Sequence, residues 1–327
     1  MSVAETCYIE SKCGMGTFLR VMSFTKENEH SFTPIWEVFE NVERLCSRFS
    51  SDSQLSLINK MAGQERVQVD EKLAKILLAA QRISAFTDGA FDATVGAVTS
   101  LWSMKPHDVK IPTEIEQKAA ESLVNYRWFD IKGRDAFLAK EKMKLDLGGI
   151  AKEFALHEAA ETATKIGVGS AIIDAGGDVC TIGAKPNNRP WRIGIQHPRR
   201  AKTLLASVVL QNWDTVETSG DYQRFIKDGD KVYSHIFSVR QADVSEKLIS
   251  ATLIYRRQHE LLPINGAAFI ASGLAKSKAF LEMLPNVEAI LVTDAMQVFI
   301  TEGLRGYIHI LPHQMRHQTF IFNRRAC

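Results

Sequence analysis

The sequence is short of the features that announce a specialised compartment or partner. Its five cysteines (Cys7, Cys13, Cys46, Cys180 and Cys327) include no C-x-x-C pair, which argues against a disulfide framework and a cysteine-based zinc site. No apolar run reaches membrane-spanning length, and no segment repeats. Met1 to Cys13 carry Glu5, Glu10 and Lys12 in place of an apolar leader, so a cytoplasmic protein without a membrane anchor is expected. Charge of one sign is missing too: 40 Lys and Arg face 38 Asp and Glu, a formal net charge of +2. That balance gives no support to a nucleic-acid surface, and the runs His197-Pro198-Arg199-Arg200 and Arg256-Arg257 are read as solvated loops.

What is present is the composition of a globular chain: 327 residues, 45% hydrophobic and 24% charged. Thr17 to Phe24 is expected as a strand, and Trp36, Phe39, Val42, Leu45 and Phe49 line one stripe of a helix over Thr33 to Phe49. Glu71 to Thr87 forms a second amphipathic helix ending on Asp88-Gly89. Met143 to Asp146 is expected as a short strand and Ala151 to Lys165 as a helix. Further strands are expected at Ala171 to Asp174, Trp191 to Gln196, Leu204 to Leu210, Ile249 to Tyr255, Ala289 to Asp294 and Gln297 to Thr301, with a helix over Ile264 to Leu284. These elements predict an α+β fold, mixed sheets with packed helices in one compact unit that has room for two lobes.

Several segments carry groups suited to chemistry. Gly148-Gly149, between a strand and a helix, would let backbone N–H groups approach an anion, with Lys152 one turn inside the helix. The same pair suits a plain structural turn, since it matches neither G-x-G-x-x-G nor a P-loop. Asp146 could bind a hydroxyl, an amide or a cation, and Ala175-Gly176-Gly177-Asp178 repeats the pattern after another strand. Thr218-Ser219-Gly220-Asp221-Tyr222 suits ligand contact or an ordinary turn. His235, in the expected strand Val232 to Ile236, is either a general base or a structurally hydrogen-bonded histidine. His309, His313 and His317 recur every four residues, but Pro312 breaks a metal-binding helix there, and a solvated tail is expected.

Taken in order, these segments resemble the FAD:protein FMN transferases, the ApbE-like family. The resemblance rests on Met15-Gly16-Thr17, Ser47-Arg48-Phe49, Ser53-Gln54-Leu55, Asn59, Thr87-Asp88-Gly89-Ala90-Phe91-Asp92-Ala93-Thr94-Val95, Asp146 to Lys152, Ala175 to Asp178, Thr218 to Tyr222 and Ser234-His235-Ile236. It implies a lead segment over 1–14, a flavin transferase domain over 15–310 and a C-terminal tail over 311–327. It also implies an enzyme that splits FAD, attaches FMN by a phosphoester bond to a Ser or Thr of an acceptor flavoprotein, and releases AMP. By the same resemblance Met15, Ala90, Phe91, Asp92, Asp146, Lys152 and Ile236 fall on FAD-contacting positions, and Phe49 falls where the family usually has a tyrosine beside the flavin. His235 becomes the base near the transferred phosphate, and the Gly149 carbonyl becomes a ligand of Mg2+.

The resemblance breaks at the family's other metal ligands, an Asp and, four residues on, a Thr or Ser. The register chosen from the sequence puts Pro263 and Ala267 there, and neither offers oxygen to a hard cation. Asp92, Asn265 and Asp243 are the conceivable substitutes. Ser238-Val239-Arg240-Gln241-Ala242 likewise replaces the usual D-P-R-T-G. The sequence therefore allows a second reading, an FAD-binding relative that stores or delivers flavin without transferring it.

Overall fold

The computed structural model describes residues 6–25, 31–105, 107–211, 213–222, 225–228, 231–234, 247–257, 261–311 and 319–322. Among these, a nine-stranded sheet runs through the molecule, and its strands lie side by side in chain order. They are Tyr8–Gly14, Thr17–Ser23, Ala171–Ala175, Asp178–Ile182, Thr215–Gly220, Leu248–Tyr255, Val287–Thr293, Val298–Thr301 and Thr319–Phe322. Every neighbouring pair is antiparallel except the last, which is parallel.

Leu248–Tyr255 and Val287–Thr293 are buried along their whole length. Both faces of the sheet are covered there, so these strands are mostly apolar, with Ser250, Thr252, Glu288 and Thr293 buried among them, and lack the in-out alternation of a half-exposed strand. One face carries helices: α1 (Thr33–Cys46), α2 (Gln54–Lys60), α3 (Glu71–Phe86), the one-turn α4 (Gly96–Thr99), the outlying α5 (Glu114–Glu121), α6 (Ala151–Lys165) and α7 (Gly266–Met283). Ile35, Phe39, Val42 and Leu45 of α1 join Ala155, Leu156 and Ala159 of α6 in the larger core. Ala268, Phe269 and Leu274 of α7 pack on Ala251, Leu253 and Tyr255. A three-stranded sheet of Trp191–Gln196, Leu204–Leu210 and Ile308–Ile310 contributes Trp191, Ile195 and Val208 to a core with Val216, Ile254 and Ile290 of the large sheet.

Several expectations change. α1 stops at Cys46, three residues before Phe49, because the Ser53 and Ser56 hydroxyls both donate to the Ser47 carbonyl and turn the chain away. Met143 to Asp146 is not a strand. It makes one parallel bridge, Val95 with Lys144, and the Asn59 side chain supplies the pairing instead, accepting from the Leu145 N–H at 2.7 Å and donating to its carbonyl at 3.1 Å. The lead segment contributes Tyr8–Gly14 and the C-terminal tail contributes Thr319–Phe322 to the large sheet. His309 lies in a strand opposite Ser207, while His313 and His317 lie outside the described residues. Among the described residues no helix is long and apolar enough to cross a membrane.

The bridge at Val95 holds the start of α4 against the Asp146 segment, and the approach is close. A Cβ on Gly96 would lie 2.5 Å from the Lys144 carbonyl oxygen and 2.6 Å from the Leu145 carbonyl carbon. Backbone cannot yield as a flexible side chain can, so Gly96→Ala is expected to cost about 1–3 kcal/mol of folding stability. Urea unfolding measures this, and an unchanged midpoint would contradict the packing described.

Candidate functional site at the start of α6

Segments far apart in sequence meet where α6 begins. Ile150 occupies the cap position, and no side chain among the described residues caps the helix. The Ala151 N–H donates back to the Leu147 carbonyl at 2.8 Å, and the N–H groups that follow are not consumed by a Ser, Thr, Asp or Asn cap, as they usually are. Asp146 lies just before the turn, with its carboxylate engaged on both oxygens. Oδ1 accepts from the Gly148 N–H at 2.8 Å, and Oδ2 accepts from the Thr99 hydroxyl at 2.7 Å and pairs with Arg48 Nε at 3.0 Å. The Arg48 guanidinium also lies 4.2 Å from the centre of the Phe49 ring, a cation–π contact that orients an aromatic 75% exposed to solvent.

The loop after α3 closes the next side. Its turn is a Schellman motif: Gly89 N–H donates to the Ser84 carbonyl and Asp88 N–H to the Ala85 carbonyl. The left-handed conformation expected of Gly89 is shared with Asp88, at φ 47°. Asp92 then organises the loop, its carboxylate accepting from the Thr94 N–H and hydroxyl and from the Tyr126 N–H. Ala93 offers its carbonyl to the Asp146 N–H at 2.8 Å. Ala90 is buried, and the Phe91 ring lies against Gly149.

Lys152 reaches Asp178 at 2.6 Å, and Asp178 in turn accepts from the Thr218 N–H at 2.9 Å. Burial pushes the Asp178 carboxyl above its ordinary range, against the opposing pull of Lys152. The pair joins both glycine segments to Thr218. Met15 and Gly16 form the two-residue turn of the first hairpin, with φ 51° and 70°. That hairpin is fastened beside Gly176 by the Gly176 N–H to Phe18 carbonyl bond. On the remaining side, Asn265 caps α7 by accepting from the Ala268 N–H, and its Nδ2 donates to the Gly149 carbonyl at 3.0 Å. Ser219 lies against Gly266 at the start of the same helix. The contacts thus bring Phe91, Asp146, Gly149 and Lys152 together at the helix start, with Phe49 tied to Asp146 through Arg48. Asp92 organises the neighbouring loop, Ala90 is buried within it, and Met15 sits in the hairpin turn with its N–H donating to Glu43 of α1. His235, Ile236 and Asp243 lie outside the described residues.

The residue against the Gly149 carbonyl is Asn265, two positions from the Pro263 register taken from the sequence. Four residues beyond Asn265 stands Phe269, fully buried in the α7 core. Neither register offers a pair of anionic or hydroxyl oxygens. Asp146, Asp92 and Asp178 spend their carboxylates on the contacts above, so the described residues at Gly149 do not fit a Mg2+ ion, which demands an octahedron of oxygens.

Sequence reading missed a buried polar cluster directly beneath. Glu153 and His157, one turn apart on α6, meet Glu217 and Tyr255 of the sheet. The Tyr255 hydroxyl donates to Glu217 and lies 3.0 Å from His157 Nε2 and 3.4 Å from Glu153 Oε1. Burial, with Glu217 and Asp178 nearby, pushes the Glu153 carboxyl well above its ordinary value. The signal was available, since Glu153 and His157 sit four apart on the apolar face of a helix. Glu153, His157 and Glu217 each bring a donor to within 4.8 Å of the others, near enough to share a cation. A nitrogen-containing set around a phenol suits a transition metal better than Mg2+.

An aromatic face, an uncapped helix start and two nearby cations suit a ligand that joins a planar ring to phosphates. A family model described as the ApbE family matches residues 15–291, and the chain belongs to that family. A relative named FAD:protein FMN transferase from Treponema pallidum is 26% identical over 324 residues, covering 93% of this chain and 89% of its own. A relative of the same name from Salmonella typhimurium is 28% identical over 250 residues, covering 73% and 71%. The crystal structure of the ApbE protein of Thermotoga maritima superposes with a TM-score of 0.80 at 27% identity, covering 92% of this chain and 99% of that one. The flavin transferase ApbE of Vibrio cholerae gives 0.77 at 21% identity over 92% and 100%, a likeness of fold. The expected ApbE-like α+β fold is borne out.

The raised Glu153 carboxyl has a pH signature. Folded protein keeps the proton above the ordinary glutamate value of 4.5, where unfolded chain has released it. Stability is therefore unaffected by this group below that value and falls as pH rises through it. Glu153→Gln keeps the shape and cannot ionise. Thermal unfolding across a pH series should show wild type losing ground to the variant as pH rises above 4.5; parallel curves would contradict a protonated Glu153.

Proposed function

We propose that the protein is an FAD:protein FMN transferase. The observation that carries this reading is the convergence of Asp146, Lys152, Gly149, Phe91 and Phe49 on one uncapped helix start, within a chain matched by the ApbE family over 15–291. The curated relatives bearing that activity as their name support it.

In this reading the FAD diphosphate lies over the Gly148–Lys152 turn, where helix N–H groups and the helix dipole favour negative charge. Phe49 offers its face to a flavin or adenine ring, and the exchange of a tyrosine for phenylalanine there keeps the π-surface while giving up a hydroxyl. Met15, Ala90 and Asp92 shape the pocket through the hairpin and the loop, and Ile236 is assigned to the ligand from sequence. The acceptor hydroxyl oxygen attacks the FMN-side phosphorus, His235 takes the hydroxyl proton, and the bond from that phosphorus to the bridging oxygen breaks. AMP leaves with the bridging oxygen. Positioning and charge neutralisation carry such a step. The Mg2+ that the family resemblance implies would supply charge neutralisation at the diphosphate, but the described residues at Gly149 do not fit it, and no step is assigned to it.

The partner is an acceptor flavoprotein with a Ser/Thr-Gly-Ala-Ser/Thr-like target, and the cell compartment we infer is the cytoplasm. The test is to incubate the protein with FAD and such an acceptor, then look for flavin fluorescence on the denatured acceptor. Labelling is expected; FAD binding without labelling of any acceptor would leave a flavin-storing or flavin-delivering protein instead. Asp146→Ala should weaken FAD binding, measured by fluorescence titration. His235→Ala should leave binding intact and slow labelling by about 10²-fold or more, the usual worth of a general base. An equal loss of FAD affinity in both variants would remove the base role.

A further inference from the structure

We propose that the side-chain amide of Asn265 takes the place of a divalent cation at the Gly149 carbonyl, so that this protein holds its nucleotide without a metal ion at that position. The proposal starts from the direction of the amide. Asn265 is 3% exposed, and its Oδ1 accepts from the Ala268 N–H at 2.9 Å as the N-cap of α7. A flipped amide would set NH2 against that N–H and oxygen against the Gly149 carbonyl, two repulsive contacts in a site too buried for water to relieve them. The network therefore fixes Nδ2 toward the Gly149 oxygen, at 3.0 Å.

An N–H group aimed at a carbonyl oxygen does locally what a cation does: it presents positive charge to the lone pair and ties two elements together. It also repels a cation that would approach the same oxygen. Magnesium binds at about 2.0–2.1 Å and requires oxygen donors in a near-ideal octahedron. Here the residue facing the carbonyl donates hydrogen, and the residue one turn on, Phe269, packs its ring against Phe280 at 6.1 Å. The nearby carboxylates cannot swing over freely. Asp146 is held by Arg48, Thr99 and the Gly148 N–H, and Asp178 is held by Lys152 and the Thr218 N–H.

Asn and Asp are nearly equivalent as N-caps, so the amide serves the start of α7 as a carboxylate would, while presenting to Gly149 a hydrogen-bond donor where a carboxylate would present a metal ligand. The cationic groups near the helix start are Lys152 and Arg48, each paired with a carboxylate, Asp178 and Asp146, and no chelator removes them.

Asn265→Asp is the direct test, since it introduces a carboxylate without losing the cap. Asn265→Ser, also a capping residue, removes the amide and serves if the aspartate variant does not fold. Binding of Mn2+ is followed by electron paramagnetic resonance on the full-length protein, with and without FAD. The proposal rests on the transferase reading only for the identity of the nucleotide; failure of FAD to bind would count against that reading, while the Mn2+ measurement without FAD still reports on Asn265. Asn265→Asp, compared with wild type in a Glu153→Gln background that removes a carboxylate from the buried Glu153–His157–Glu217 set, is expected to gain a Mn2+ site on the order of tenfold or more tighter than any that remains, a difference of about 1.4 kcal/mol. Any Mn2+ bound by wild type should be indifferent to Asn265→Ser. A wild-type Mn2+ site weakened by Asn265→Ser, or an Asn265→Asp variant that gains none, overturns the proposal.

Discussion

An α-helix whose cap position is isoleucine leaves its first N–H groups without a side-chain acceptor, a deficit that most proteins repair locally. In this chain it stands at the start of α6, and the surroundings can be understood as the means of holding that start in place. Asp146 fixes the incoming chain through the Gly148 N–H. The Lys152–Asp178 pair fixes the first turn to the sheet. Asn265 fixes the Gly149 carbonyl to α7. Each tie comes from a different part of the sequence, which is why one helix start can gather the hairpin, the loop after α3 and the start of α7.

The ties are also electrostatically graded. Near the surface, Arg48 couples Asp146 to the exposed Phe49 ring. Lys152 and Asp178 lie at a similar depth, and deeper than both pairs Glu153, His157, Glu217 and Tyr255 share hydrogen bonds in the core. Removing one partner of a buried charge pair is costly because the other is left uncompensated. The arrangement therefore ties the geometry of the helix start to the integrity of the sheet.

Much of this was legible in the sequence. The stripe Trp36, Phe39, Val42 and Leu45 gave α1, and β-branched runs gave the central strands. The ordered motifs gave the family, and the Asp146 to Lys152 motif marked the turn at which α6 starts. What escaped was set by contacts distant in sequence. Met143 to Asp146 has the composition of a strand, but Asn59 pairs with it instead of a neighbouring strand. Thr319–Phe322 looked like the end of a tail because its parallel partner, Val298–Thr301, lies about twenty residues away. Counting from a motif puts Pro263 at the position of the family's metal-ligand Asp and does not tell which residue meets the Gly149 carbonyl; the N-cap geometry of α7 brings Asn265 to it. The buried Glu153–His157–Glu217–Tyr255 cluster needed two strands and a helix brought together before it could be seen.

In the proposed function the start of α6 seats the FAD diphosphate, held by protein groups. Its most direct test is a crystal structure of the protein with FAD, grown in the presence of Mg2+. The prediction is diphosphate density over Gly148 to Lys152, a ring beside Phe49, and Asn265 still bonded to the Gly149 carbonyl. Diphosphate bound elsewhere, or a cation standing between Asn265 and Gly149, would contradict it.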